Sequence, residues 1–356
     1  MFNRLFFLLF ILIGCTTKND NPQDFEKVNL NFQLKKIKTI NLEGKEVSLS
    51  YTIQYPNSSL VYLTNIKNEN KLIIYSLDLD SFQLKTLLDI TPDFQIEANA
   101  IDQENSKIYL FTGDELIVYD FNNKQLSRKP FGRLKKGFLS NLEPVRFYPY
   151  IKDDVLFMEY FPNIEETFKS KLFYRQPFQA AINLKDNKVQ LLGMTYPQEY
   201  QKKCFGSNYI PDRIIGDNNK HIVSFPYNDS VYIYDEEGKL LETKFFGTKT
   251  KKQFQFIPYD ELENLQREVF DQFLKDIPFY AFSKFFSFSK IYCRQLFWFN
   301  KENNKQESTF VFYDVNWNYL GEFHTEGTMF LFDCKKYGIL RIKINNNNLE
   351  IYDVEF

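Results

Sequence analysis

Arginine is scarce in this chain, supplying nine of its 44 basic residues. A guanidinium holds five donors in a planar fork, so an arginine kept in so Lys-rich a chain marks a place where that geometry matters. Arg146 in "EPVRFYPYIKDDVLFM" and Arg213 in "IPDRIIGDNNKHIVSF" each stand just before a strand-like run, and Arg294 lies within the next such run. Together with Tyr292 and with Glu159 on "DVLFMEYF", they form the candidate binding set, suited to an anionic or sugar ligand. The competing reading pairs each arginine with a carboxylate between structural units.

Catalytic chemistry has little support. The two histidines, His221 and His324, carry no metal-ligand spacing, and CxxC pairs are absent, so no metal and no cofactor are expected. GxSxG is missing, and "CFGSNY" around Ser207 has no triad order. Glycoside hydrolysis needs only two carboxylates, for which Glu159 with Glu165 or Glu166 are candidates, but 46 acidic residues make such pairs common by chance. Asp78 with Asp80, and Asp217 with Asn218 and Asn219, match no calcium-loop register and read as turn formers.

Cys15 carries the clearest chemistry. It closes "LFFLLFILIGC", in which nine apolar residues follow Arg4. A membrane-spanning helix needs roughly 20 apolar residues, so this run reads as a secretory signal. Leu12-Ile13-Gly14-Cys15 resembles a bacterial lipobox, whose cysteine thiol takes a diacylglyceryl group. Residues 1–14 are therefore expected to be a signal peptide and residues 15–28, polar and Asn-rich, a tether. Thr16 is not the aspartate of inner-membrane retention, which favours an outer-membrane lipoprotein on the periplasmic or cell-surface side. Cys204, Cys293 and Cys334 remain, and they read as buried small residues.

A net charge of −2 supplies no basic field, so nucleic acid is not an expected partner. The run Arg128, Lys129, Arg133, Lys135 and Lys136 could touch anionic head groups, or simply be a solvated loop. Codon bias toward A and T accounts for much of the 18% aromatic content, which is read as core filling first.

The elements that must position these residues are repeats. An alternating β-branched and aromatic run, a Tyr or Asn, a polar turn and a Leu recur. Examples are "KLIIYSLDLDSFQL" from Lys71, "DELIVYDFNNKQL" from Asp114 and "DSVYIYDEEGKLLETK" from Asp229. Their anchors are Tyr75, Tyr119, Asn183, Tyr234, Tyr313 and Tyr352. Period-2 alternation split by Asp/Asn/Gly turns predicts hairpins, and their spacing predicts an all-β, six-bladed β-propeller of antiparallel four-stranded blades over 29–356. A β-sandwich meander is the alternative. "KIYLFTG" from Lys107, "HIVSFP" from His221 and "KIYCRQLFWF" from Lys290 are assigned as inner strands. "LKKIKTINL" from Leu34 is expected to pair with the terminal "LEIYDVEF" and close the ring. A helical insertion is predicted at about 258–277, with Leu262, Leu265, Val269, Phe270 and Phe273 on one face. It reads either as a lid or as an inert insertion.

The lipobox, the six hairpin phrases and "KIYCRQLFWFNKENNKQESTFVFYDVNWNYLGEF" resemble a family of Bacteroidetes-type lipoproteins, predicted six-bladed propellers of unknown function. In that family's strand paired aromatics precede the arginine, whereas here Cys293 stands between Tyr292 and Arg294. The resemblance implies fold and location and no activity. The expected function is a non-enzymatic, membrane-tethered binding module for a glycan, peptide or envelope partner. A carbohydrate hydrolase with paired carboxylates in the central funnel is the alternative.

Overall fold

The computed structural model describes residues 32–355 apart from 50, 68–70, 97, 113–114, 132–136, 141–148, 163–171, 206–209, 250–253, 263–268, 270–272, 274–276, 301 and 328. It is a β-propeller of six small antiparallel sheets. Blade 1 comprises Thr52–Gln54, Leu60–Lys67, Lys71–Asp78 and Gln83–Ile90. Blade 2 comprises Ala98–Asp102, Lys107–Phe111, Glu115–Asp120 and Gln125–Pro130. In blade 3 the innermost strand is split into Gly137–Ser140 and Tyr150–Lys152, both pairing with Val155–Pro162, and Gln179–Asn183 and Val189–Leu191 follow. Blade 4 holds Asp212–Ile215, His221–Ser224, Ser230–Tyr234 and Leu240–Phe245. Blade 5 holds Phe279–Phe286, Ile291–Asn300, Lys305–Asp314 and Tyr319–Glu326. Blade 6 takes Phe330–Cys334, Gly338–Asn345 and Asn348–Glu355 from the end of the chain, and its outer strand Gln33–Asn41 from the beginning. Gln33 lies opposite Glu355 and Asn41 opposite Asn348, which is the ring closure expected from sequence.

Closure is visible in the packing as well. The six apolar clusters each bridge two neighbouring blades. One joins Val61 and Leu63 of blade 1 to Phe332 and Leu340 of blade 6. Another joins Ile74 and Leu88 to Ile108 and Ile117 of blade 2, and the series continues round the ring. Each fully buried Ile, Leu or Val contributes roughly 1.5–3 kcal/mol, so no blade is stable without both neighbours.

All six anchor residues fall on third strands. The turn after them is built by the acidic residue. Asp120 Oδ1 accepts from the amides of Asn122 and Lys124, and Asp314 Oδ1 from those of Asn316 and Asn318, each at 2.8–2.9 Å. Asn123, Gly238 and Trp317 then take positive φ, of 65°, 84° and 65°. The recurrent leucine is a bulge. Tyr119 pairs with Gln125 and Val118 with Ser127, leaving Leu126 out of register, and Leu87, Leu241 and Leu320 are skipped likewise.

The inner-strand assignment needs correcting. Lys107–Phe111, His221–Ser224 and Ile291–Asn300 are second strands, and the innermost strand of each blade is the segment before them. The insertion also differs. Helix is described at Tyr259–Leu262, and Phe273 still accepts from the amide of Ile277 at 3.2 Å. Phe273 packs against the core as expected, but Val269 is 51% exposed, so the predicted apolar face is broken there. Leu265 and Phe270 lie outside the described residues, as does the side chain of Leu262.

This helix belongs to a cap on the blade 3 and blade 4 ends where second strands meet third. The cap contains 3-10 turns at Phe173–Arg175 and Gln198–Gln201 and the pair Lys203–Cys204 with Ile257–Pro258. Tyr174, Tyr196, Tyr200 and Phe205 pack there against Phe178 and Phe225 at the strand ends. The Tyr259 hydroxyl donates to Tyr200 O at 2.9 Å, and the Tyr227 amide to the Tyr200 hydroxyl at 3.0 Å. No helix among the described residues is long and apolar enough to cross a membrane.

Candidate functional site at one end of the channel

The turns joining each first strand to its second gather at the end of the ring opposite the cap. Around blades 5, 6 and 1 this end is knotted shut by Asp333. Its carboxylate accepts from Phe288 N at 2.5 Å and Ser289 Oγ at 3.0 Å, and its amide donates to Gln54 Oε1 at 2.9 Å. Gln54 Nε2 returns a bond to Asp333 O at 2.5 Å, and Asn57 N donates to Ser287 Oγ at 2.6 Å. Burial holds the Asp333 carboxyl above the usual range although these donors oppose it.

Across the ring the same end opens into a cavity of about 340 Å³, within the size of small-ligand sites. Blade 1 supplies Tyr55, Pro56 and Asn57, and blade 2 supplies Ile101, Asp102, Gln103 and Glu104. Blade 3 supplies Tyr150, Ile151 and Lys152, and Asn219 comes from blade 4. The Tyr55 hydroxyl donates to Ile101 O at 2.7 Å, fixing the ring across the gap between blades 1 and 2. The Tyr150 hydroxyl reaches Asn219 Oδ1 at 3.4 Å, and its ring stacks on Phe157 at 6.1 Å. Gln103 Oε1 is buried and accepts no hydrogen bond among the described residues.

The described lining of the cavity is acidic, with Asp102 and Glu104 against Lys152. Among the described residues Lys152 is the one lining cation, and its amine is held by Glu236 of blade 4, which raises the lysine above its ordinary value. Among the described residues no cation pairs with Asp102 or Glu104. Both oxygens of Asp102 accept from Asn105, Oδ1 from the amide at 2.9 Å and Oδ2 from Nδ2 at 2.8 Å. A phosphate or sulfate here would meet two carboxylates and a neutralised lysine. Aromatic rings, amides and carboxylates are the set that binds hydroxyl groups.

Deeper in the channel, Thr52, Gln54, Ile214, Ser283 and Lys284 line a cavity of about 30 Å³, room for about one water molecule. The Lys284 amine donates to Leu331 O at 2.7 Å and lies 4.1 Å from the centroid of Phe332. Burial brings it down to about 8, against the pull of Cys293 and Asp212.

The nominated binding residues that the structure describes, Arg213, Arg294, Tyr292 and Glu159, do not line this cavity. Arg146, Cys15, Ser207, Glu165, Glu166, Arg133, Lys135 and Lys136 fall outside the described residues, as do segments 1–14 and 15–28. Arg213 sits on the innermost strand of blade 4 rather than in a loop before it, and is 1% exposed. Its guanidinium meets His221 Nδ1 at 3.3 Å and Phe157 O at 3.4 Å, between blades 3 and 4. Arg294 is fully buried, donating to Phe246 O at 3.0 Å and Phe225 O at 2.8 Å, with its Cζ 3.5 Å from the centroid of Tyr280. Tyr280 in turn donates to Asp229 Oδ1 at 2.5 Å, so a carboxylate answers the guanidinium through a ring rather than directly. Neither arginine is among the cavity-lining residues; Arg294 bonds to two backbone carbonyls at the ends of blade 4, and Arg213 meets His221 and the Phe157 carbonyl.

Tyr292 is also buried. It is sandwiched between Phe285 and Trp317, both at 4.6 Å, with its hydroxyl beneath Gly216. A Cβ at Gly216 would approach that hydroxyl to 2.9 Å, so any larger residue there would have to displace the Tyr292 and Ile222 side chains. Glu159 is 1% exposed inside blade 3. Arg128 of the basic run pairs with Glu115 at 2.6 Å on blade 2. The Asp78–Asp80 pair forms a turn, and Asp80 Oδ1 accepts from Cys334 and Lys336 of blade 6. Cys204, Cys293 and Cys334 are free and buried, and no metal-ligand cluster occurs among the described residues.

Sequence reading missed every cavity residue except Asn219, which it took for a turn former. The signal was weak, because "YPN", "DQE" and "YIK" are ordinary turn and strand pieces until four blades bring them together.

Residues 29–324 match the family described as "Domain of unknown function (DUF4221)". The fold is similar to the crystal structure of a DUF4221 member from Bacteroides vulgatus, at 14% identity and a TM-score of 0.66, covering 91% of this chain and 98% of that one. A chain of a mitotic checkpoint complex aligns at 10% identity, a TM-score of 0.42 and full coverage of both chains, too loosely to inform the comparison. No protein of curated function matches.

Proposed function

The chain belongs to the DUF4221 family, a domain of unknown function, and from that premise we propose a membrane-tethered, extracytoplasmic binding module whose open channel end takes a neutral, hydroxyl-rich ligand such as a glycan. The observation that carries this reading is the cavity of about 340 Å³ built by four blades at one end of the ring, across from the turns of the same end that Asp333 ties together. Its lining supports neutral polar ligands over anionic ones, since Lys152 is already engaged by Glu236. A peptide or envelope protein presenting hydroxyls or an amine would use the same lining.

Hydrolysis is the less favoured reading. A glycosidase needs two carboxyls working as a pair across the scissile bond, and of the two in the cavity lining, Asp102 and Glu104, Asp102 has both oxygens bonded to Asn105. Glu159, the carboxylate nominated from sequence, is sealed inside blade 3.

The tether rests on the lipobox around Cys15, and Thr16 favours the outer membrane. The binding reading is tested with residues 29–356 on a combined glycan and peptide array, followed by titration of Tyr150→Ala and Glu104→Gln against the hits. Loss of binding in folded variants supports the cavity, and undiminished binding contradicts it. For the tether, Cys15→Ala should release the full chain from membranes.

A further inference from the structure

The cavity and the entry of the chain lie on the same face of the ring. Within a blade, third strands end and outer strands begin on the face that also carries the first-to-second turns. Gln33 lies opposite Glu355, the last residue of a third strand, so the chain enters blade 6 on that face. It leaves the outer strand at Asn41, where Leu42 N donates to Asn347 O at 2.9 Å in the opposite turn. The cavity opens through Asn57, Glu104 and Asn219, all in first-to-second turns.

From this we infer that the cavity face is the membrane-facing side of the anchored protein, so that the cavity opens toward the bilayer surface. The inference rests on the tether proposed above. From Cys15 to Gln33 the chain spans at most about 60 Å when extended, at 3.3–3.6 Å per residue. A relaxed coil of that length averages about 23 Å. An outer strand of nine residues rises about 30 Å from this face to the other. Presenting the capped face to the bilayer would use up roughly half of the fully extended reach in climbing the blade, whereas presenting the cavity face uses none.

The test uses the full lipidated chain in phosphatidylcholine vesicles containing a head-group nitroxide lipid. A fluorophore is placed at Asn122→Cys, an exposed turn on the cavity face, or at Glu302→Cys, exposed on the opposite face. The three cysteines of the propeller are buried and leave the label selective. Several-fold stronger quenching at position 122 than at position 302 is expected. Equal or reversed quenching in a protein that floats with the vesicles overturns the orientation and leaves the tether standing. A protein that does not float removes the tether and this inference with it.

Discussion

Lys36 donates to Glu350 at 2.5 Å across the seam where the first strand of the ring meets the last. The bond from Lys36, with a second from Tyr352, holds the Glu350 carboxyl down at about 2, against an ordinary value of 4.5. A carboxyl lowered by folding stabilises the fold above its unfolded value and stops doing so as pH falls through the folded one. The seam is therefore expected to weaken between about pH 4.5 and pH 2. Thermal melts across that window should show a shallower acid limb for Glu350→Gln than for the wild type. The difference should be small, because Lys36 is solvent-exposed, and coincident limbs would mean that the pair contributes nothing.

Deleting residues through Asn41 removes the outer strand of blade 6 and strips Asn348–Glu355 of its partner. An exposed edge and an uncovered interface should follow. Size-exclusion chromatography should find aggregate or unfolded chain, and a monomer with wild-type melting would show that the seam is dispensable.

Arg294 holds two backbone carbonyls from the ends of blade 4, Phe225 O and Phe246 O. An ammonium cannot reproduce that fork, so Arg294→Lys should orphan at least one carbonyl, at a cost of about 1–3 kcal/mol. Denaturant unfolding measures it. A variant of wild-type stability that lost ligand binding would return Arg294 to the binding set.

His221 is a neutral ring held in the interior between blades 3 and 4. It is fully buried, with Phe157 edge-on at 4.9 Å and Arg213 at 3.3 Å from Nδ1. Burial, then the charges of Arg213 and Lys152, lowers it from 6.5 to about 2. The unfolded chain takes the proton first, so stability present above pH 6.5 is lost as pH falls toward 2. The slope is at most about 1.4 kcal/mol per pH unit. His221→Gln should flatten this limb. An NMR titration placing His221 near 6.5 would contradict the buried neutral ring.

The parts of the fold legible in sequence are those whose chemistry is local. Tyr119, Asp120 and Leu126 mark a third strand, its turn and its bulge within a single hairpin, so the phrase repeats visibly. Innermost strands such as Thr52–Gln54 and Tyr150–Lys152 have three residues each, too few for an alternation to register. That shortness moved the inner-strand assignment one strand outward and left Arg213 in a supposed loop. The rarity of arginine correctly marked sites that need a fork, but Arg294 points its fork at carbonyls between blades. Tyr55, Glu104 and Tyr150 belong to three different blades, and no local pattern records their meeting.

The most direct measurement is calorimetric titration of an array-selected neutral oligosaccharide into residues 29–356 and into the Tyr150→Ala and Glu104→Gln variants. The account predicts at least a tenfold loss of affinity in each variant with unchanged melting temperature. Wild-type affinity in both variants would place the ligand somewhere other than this cavity and contradict the account.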